Sequence, residues 1–207
     1  MDMTNVFYFL LASVALTLMP GPDILFVATQ SMVQGKKGGI MTALGLCTGL
    51  LGHTAAVAVG ISAVIYHSAL AFQILKYFGA AYLLFLAWQA LKSSGTGPVK
   101  QKNLKQNAFA LYKRGIWMNL LNPKVSIFFL AFLPQFVSPH AGSITLQFIG
   151  LGMLFIFQAL TIFSLVSVGA AALGEKFLQP FIRSRGVHWI EAAIYTILGL
   201  RLVFMEK

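Results

Sequence analysis

The sequence contains few charged residues for its length. Asp, Glu, Lys and Arg make up 10% of its 207 residues, whereas soluble domains carry about 25%. Hydrophobic residues make up 58%, and the mean hydropathy is +0.80. A soluble globule of this length cannot hide so much apolar surface, so lipid must be the solvent for most of it. At roughly 20 residues per span, the chain predicts an all-α integral membrane protein of about six helices, without a separate soluble domain.

Acidic residues are fewer still, and the balance of charge excludes one class of partner. The sequence has five Asp and Glu residues and 15 Lys and Arg residues, which gives a net charge of +10. Such a charge is common among proteins that bind nucleic acid. Here the basic residues cluster in loops between apolar spans, and no basic and aromatic surface is left to read bases. We therefore expect a lipid bilayer and no nucleic acid as partner.

Cysteine and histidine are too few or too scattered to build a covalent or metal framework. Cys47 is the single cysteine, so no disulfide can form within the chain. The four histidines have no ligand spacing, whereas metal sites need convergent ligands. The sequence contains no nucleophile elbow, phosphate loop or pair of catalytic carboxylates. We expect no metal, no cofactor and no enzymatic activity.

Six apolar segments are long enough to span a bilayer. They cover residues 5–29, 39–65, 69–91, 115–137, 143–173 and 187–204. Of the segments between them, 30–38, 92–114 and 174–186 contain Lys or Arg, whereas 66–68 and 138–142 contain neither. Because positively charged loops stay in the cytoplasm, the pattern predicts a multi-pass protein of the bacterial inner membrane with both termini outside.

The polar, basic linker 92–114 divides a single transporter domain, 1–207, into two halves. Repeat one is 1–91 and repeat two is 115–207, with three spans each. The first span runs inward and the fourth runs outward, so the two triplets have opposite orientations. Inverted repeats of this kind, with interrupted spans at matching positions, are typical of secondary transporters.

The first span is interrupted by Pro20-Gly21-Pro22-Asp23. Proline has no N–H group and suits the first position of a new helix. A half-helix that starts here leaves free N–H groups and a positive dipole end near the midplane, where a carboxylate can bind. An acid at that depth is costly, so we favour a functional role for Asp23. A kinked helix capped by Asp23 is the alternative.

The fourth span carries a matching interruption, Asn122-Pro123-Lys124. Asn122 suits the N-cap and Pro123 the first helical position. Lys124 then lies in the first turn, where the helix dipole disfavours a cation, so it needs a partner. Asp23 is the nearest candidate by depth. We interpret the two charges as part of a transport pathway, and a structural ion pair that joins the repeats is the alternative.

Other polar residues at depth are weaker candidates. His53, Asn119 and Gln158 are either pathway groups or polar packing residues. Small residues at Gly45-x3-Gly49 and Ala56-x3-Gly60 allow close helix approach, and we favour packing within the chain over a homodimer interface.

Three charged residues are read as structural. We expect Lys76 to snorkel outward along the third span. Glu191 lies near the start of the sixth span and Arg201 near its end, where the dipole suits each charge.

Several blocks resemble the LysE/RhtB amino-acid exporter family. They are Met19-Pro20-Gly21-Pro22-Asp23, the run 78–88, and the run 114–136 with its Asn122-Pro123-Lys124. The resemblance covers essentially the whole chain. It implies export of amino acids or close derivatives, of the homoserine, threonine, leucine or lysine type, with protons as the coupling ion. An ion or metal exporter or channel of the same fold is the alternative. Glu191 departs from the small residues expected early in the last span.

Overall fold

The computed structural model describes residues 3–61, 69–92, 107–138, 140–182 and 184–204, and throughout them it contains helices and no strand. The helices are α1 (Met3–Leu18), α2 (Pro22–Ala56), α3 (Ala69–Lys92), α4 (Ala108–Leu120), α5 (Pro123–Ile127), α6 (Ile144–Ile182) and α7 (Arg185–Phe204). Three short helical segments extend α2 and α5. The π-helical Val57–Ile61 follows α2, while the π-helical Phe128–Phe132 and the 3₁₀-helical Leu133–Phe136 follow α5.

Four helical stretches are long and apolar enough to cross a bilayer. They are Pro22–Gly60, Gln73–Lys92, Ile144–Gly174 and Arg185–Phe204. A fifth arises if Ala108–Leu120 and Pro123–Phe136, which meet at a bend of 50°, are counted as one span. The apolar α1 has 16 residues and is shorter. The described residues thus have four or five candidate spans in an all-α chain, against the six predicted from the sequence.

The segments predicted as loops at 30–38 and 174–186 are largely helical. Within α2 the only non-helical residue is Gly35, with φ 76°. The chain reverses direction at Gly35. A Cβ on Gly39 would collide with the Ser31 hydroxyl, whereas residues eight apart in a straight helix lie about 12 Å apart. Gly174, with φ 68°, interrupts α6 in the same way. Most of each predicted loop is helix, interrupted at a single glycine with positive φ, because glycine adopts that conformation at little cost.

Three basic residues lie elsewhere than predicted. The side chain of Asn107 accepts a hydrogen bond from the backbone and caps α4, so this helix begins before the predicted fourth span. Lys113 and Arg114 therefore belong to the helix and not to the linker. Lys76 does not snorkel outward. It is 5% exposed, and its ammonium lies 5.1 Å from the centroid of the Tyr77 ring.

Glycines set the closest helix packing. α2 packs most extensively against α6 and α4, and α3 packs against α7. Where α2 crosses α4, a Cβ on Gly115 would lie 2.7 Å from the Thr42 carbonyl oxygen and 3.1 Å from Gly45 Cα. Gly49 also packs on α4, which fits the predicted packing within the chain. Ala56 and Gly60 are exposed instead, so the second small-residue pair does not pack against a described helix.

We expect Gly45→Ala and Gly115→Ala to destabilise the protein. Each added Cβ meets backbone atoms that cannot move away as a side chain would. Overpacking of this kind costs about 1–3 kcal/mol, more than the roughly 1 kcal/mol that alanine gains over glycine in a helix. Gly150→Ala on α6 is the matched control, because nothing lies within 4 Å of its Cβ position. Thermal unfolding in detergent should show lower midpoints for the first two variants only. Equal midpoints in all three would contradict the backbone contact.

Candidate functional site

The two chain breaks meet through the side chain of Lys124. The first break leads into α2 through Gly21, which has an extended backbone (φ −147°, ψ −179°). The Lys124 ammonium donates a hydrogen bond to the Met19 carbonyl at 3.4 Å. It lies so close to Gly21 that a Cβ there would be 3.2 Å from Nζ. Glycine at position 21 therefore leaves the space in which the ammonium lies.

The two half-helices that follow the breaks differ at their first turns. Asn122 caps α5, because its Oδ1 accepts from the Lys124 N–H at 3.0 Å and its carbonyl accepts from the Val125 and Ser126 N–H groups. Gly21 has no side chain and gives α2 no such cap, and Pro22 fills the first helical position. The Leu25 N–H bonds the Gly21 carbonyl, so among the described residues the Asp23 and Ile24 N–H groups are those that lack an acceptor from the N-cap side chain. These two groups of α2, rather than the first turn of α5, can be offered to an anion.

A cavity of about 290 Å³ lies where the breaks meet. Six residues that the sequence singled out line it, three from each break: Pro20, Gly21, Pro22, Asn122, Pro123 and Lys124. Lys124 is 9% exposed, so its charge is almost entirely buried at the wall of a partly polar cavity. The sequence motifs thus converge on one cavity although about 100 residues separate them in the chain.

The opposite wall of this cavity was not identified from the sequence. Tyr82 and Gln89 contribute from α3, and His188, Glu191 and Tyr195 contribute from α7. The three α7 residues are spaced by three and four positions, so they share one helix face. The Lys124 ammonium lies 5.9 Å from the centroid of the Tyr195 ring. The spacing was visible in the sequence, but nothing in the sequence indicated that this face meets the two breaks.

Asp23 belongs to a second, neighbouring polar cluster. Its Oδ2 accepts a hydrogen bond from Asn119 Nδ2 at 3.3 Å, and His53 Nε2 lies 3.1 Å from the Asn119 carbonyl oxygen. All three side chains are buried. Asp23 and Lys124 line a cavity of about 20 Å³, yet no N–O contact within 4.0 Å joins these two described residues. The two charges are therefore neighbours without being a direct ion pair.

Gln158 is connected to the Asp23 cluster through Thr17, which lines the 20 Å³ cavity beside Asp23. Its Nε2 donates to Thr17 Oγ1 at 2.9 Å and to the Ser13 carbonyl at 3.5 Å, so it links α6 to α1. Neither Gln158 nor His53 lines the 290 Å³ cavity. These contacts fit both roles predicted for Gln158, a polar packing residue and a pathway group.

Five buried polar atoms of the cavity wall and the Asp23 cluster have no hydrogen-bond partner in the described part of the chain. They are Asp23 Oδ1, Asn119 Oδ1, Asn122 Nδ2 and the two ring nitrogens of His188. An unsatisfied buried polar group costs about 1–3 kcal/mol, and in native proteins it calls for an explanation. Because Asn122 lines the cavity, a molecule bound there can accept a hydrogen bond from its amide. Among the described residues, no group of three His, Cys, Asp or Glu side chains could hold a metal ion.

Known proteins resemble this chain over nearly its whole length. The family model of the LysE type translocator matches residues 14–206. Two proteins named homoserine/homoserine lactone efflux protein, from Salmonella typhimurium and Salmonella typhi, are each 35% identical over 82% of this chain and 80% of their own length. An uncharacterized membrane protein of Vibrio cholerae is 31% identical over 90% of this chain and 88% of its own. No solved structure matches. The chain therefore belongs to the LysE type translocator family.

Proposed function

We propose that this protein is a secondary transporter that exports amino acids or close derivatives from the bacterial cytoplasm. The observation that carries the proposal is the position of the Lys124 ammonium beside Gly21, at the uncapped start of α2 and on the wall of a 290 Å³ cavity. Membership of the LysE type translocator family supports it, as do two relatives named for efflux of homoserine and homoserine lactone.

The substrate carboxylate binds between Lys124 and the first turn of α2. An ammonium and free helix N–H groups are both strong partners for a carboxylate, and charge-assisted hydrogen bonds are about twice as strong as neutral ones. In the structure the ammonium donates to the Met19 carbonyl instead. Substrate binding exchanges this neutral acceptor for a charged one, so binding releases the lysine from the first break.

The membrane arrangement consists of six spans in two inverted triplets, 1–91 and 115–207, within one transporter domain. Because the chain reverses at Gly35, α1 and residues 22–34 form a broken first span, and residues 36–61 form the second. The bent pair α4 and α5 forms the fourth span. The cavity lies near Gln89, where α3 ends, and His188, where α7 begins. Those ends face the basic segments, so the cavity opens toward the cytoplasm.

Asp23 carries the coupling proton. Its carboxylate is buried beside Asn119 and next to Lys124 without pairing directly with it. Ionisable groups at membrane depth are typical of proton relays. Each elementary charge that crosses the membrane changes the free energy by about 2.3 kcal/mol per 100 mV, enough to drive a substrate gradient.

Thiol labelling tests the orientation. In a Cys47→Ala background, Lys37→Cys should react with an impermeant thiol reagent from the cytoplasmic side only, and Ala141→Cys from outside only. Both positions are exposed in the structure, whereas Cys47 is buried. The reverse pattern would place the cavity opening on the outer side.

Counterflow in proteoliposomes tests the transport activity. Vesicles loaded with unlabelled homoserine should accumulate labelled homoserine, and Lys124→Gln should lower the apparent affinity at least tenfold, the effect of losing one charge-assisted hydrogen bond. The matched control is Thr161→Ala, because this exposed hydroxyl bonds only within its own helix, to the Phe157 carbonyl. If no amino acid or homoserine shows saturable counterflow while the vesicles conduct ions, the protein is a channel and the proposal fails.

Asp23→Asn should separate exchange from coupling. Asparagine keeps an acceptor for the Asn119 amide but binds no proton. We expect homoserine exchange to persist in this variant, while accumulation driven by an imposed pH gradient falls at least tenfold. If the Asp23→Asn variant takes up homoserine at the wild-type level in response to the pH gradient, Asp23 does not carry the proton.

A further inference from the structure

We propose that Glu191 binds the ammonium group of the substrate, so that the cavity selects molecules that carry both a cationic and an anionic group. The inference rests on the proposed function and deepens it, because it assigns the second half of the binding site and the substrate class. Glu191 lies on the α7 wall of the 290 Å³ cavity, and Lys124 lies on the wall formed by the breaks.

The cavity wall carries one positive and one negative side chain. Among the described residues that line it, Lys124 and Glu191 carry the charges, and the His188 imidazole accompanies them. No N–O contact within 4.0 Å joins Lys124 to Glu191, so the two described charges do not neutralise each other directly. Leaving a buried charge without compensation is strongly destabilising. A zwitterion compensates both charges at once, whereas a molecule with one charged group leaves the other wall charge unpaired.

Glu191 has the freedom to accept hydrogen bonds from a ligand. Its side chain is 12% exposed, and 3.8 Å separates its Oε2 from His188 Nδ1. That distance is too long for a hydrogen bond. Within the described residues no other group forms a hydrogen bond or ion pair with its carboxylate. The carboxylate therefore reaches the cavity with its acceptor capacity available.

The helix dipole does not explain this acid. The favourable interaction of an acid with a helix N-terminus falls off within the first turn. α7 begins at Arg185, so Glu191 is its seventh residue and lies in the second turn. Tyr195 lies one turn further on the same face, and its ring faces the Lys124 ammonium at 5.9 Å. Glu191 therefore lies one helical turn, about 5.4 Å along the axis, from the ring beside which the Lys124 ammonium lies, and both charged side chains line the same cavity.

The test compares three related compounds as competitors of labelled homoserine counterflow. Homoserine carries both groups, homoserine lactone keeps the ammonium without a carboxylate, and 4-hydroxybutanoate keeps the carboxylate without an ammonium. Glu191→Gln should weaken homoserine and the lactone by roughly tenfold or more, the effect of losing one charge-assisted hydrogen bond. It should not weaken 4-hydroxybutanoate, because that compound has no ammonium to lose its partner, and removal of the unpaired Glu191 charge should strengthen its binding.

Arg201→Gln is the matched control. It neutralises a charge on the same helix, where the guanidinium stacks on Tyr8 and Phe136, outside the cavity. It should change the relative affinities of the three compounds less than twofold. If Glu191→Gln fails to fold, Glu191→Asp retains the charge on a shorter side chain and should weaken the two amines selectively. An equal loss for all three compounds would show that Glu191 is structural and would overturn the inference alone. Absence of counterflow in the wild-type protein would overturn the proposed function as well.

Discussion

A buried ammonium held between two chain breaks is the constraint on which the rest of the site depends. Lys124 donates to the Met19 carbonyl and lies beside Gly21, so a residue of the second half of the chain fills space left by a glycine of the first. Removing an ion from water costs several kcal/mol even after the protein relaxes. A single neutral carbonyl returns little of that cost. We propose that the charge is retained because its partner changes during transport, with the neighbouring cavity as the place where a second partner enters.

The two breaks are similar in sequence but differ in how the first turn of the following helix is capped. Proline at the first helical position ends the preceding hydrogen-bond pattern in both. Asn122 then satisfies the first turn of its own helix, whereas Gly21 cannot. The second break is therefore closed and supplies the lysine, while the first is open and supplies backbone donors. We propose that one anion site results, where two matching motifs would have suggested two.

Composition and the two proline motifs predicted the membrane class, the helical content and six residues of the cavity wall. Lipid as a solvent permits few structures, and proline acts locally, so both effects can be read from sequence. The reversal at Gly35 and the kink at Gly174 were missed because a single glycine with positive φ leaves no polar loop. The α7 wall was missed for a different reason. Whether Glu191 faces Lys124 depends on how α7 packs against the breaks, and such long-range packing has no periodicity in the sequence.

Asp23 shows the same limit. Its depth suggested Lys124 as a direct partner, yet in the structure it accepts from Asn119 on α4. Asp23 and Asn119 both lie in the interrupted spans. Depth in the membrane therefore predicted that Asp23 lies near the second interrupted span, but it did not identify the residue that Asp23 bonds. Separation of Asp23 from the lysine gives each charge its own surroundings. In the proposed mechanism, a proton binds to Asp23 and a carboxylate to Lys124 without competition for a single ion pair.

The most direct measurement is an experimental structure of the protein with homoserine bound. The account predicts a substrate carboxylate about 2.8 Å from Lys124 Nζ, at the start of α2, with the bond to the Met19 carbonyl lost. A second cavity, of about 350 Å³ and almost entirely apolar, lies between α1, the start of α2, α6 and α7. Homoserine in that cavity, with Lys124 still bound to Met19, would contradict the account.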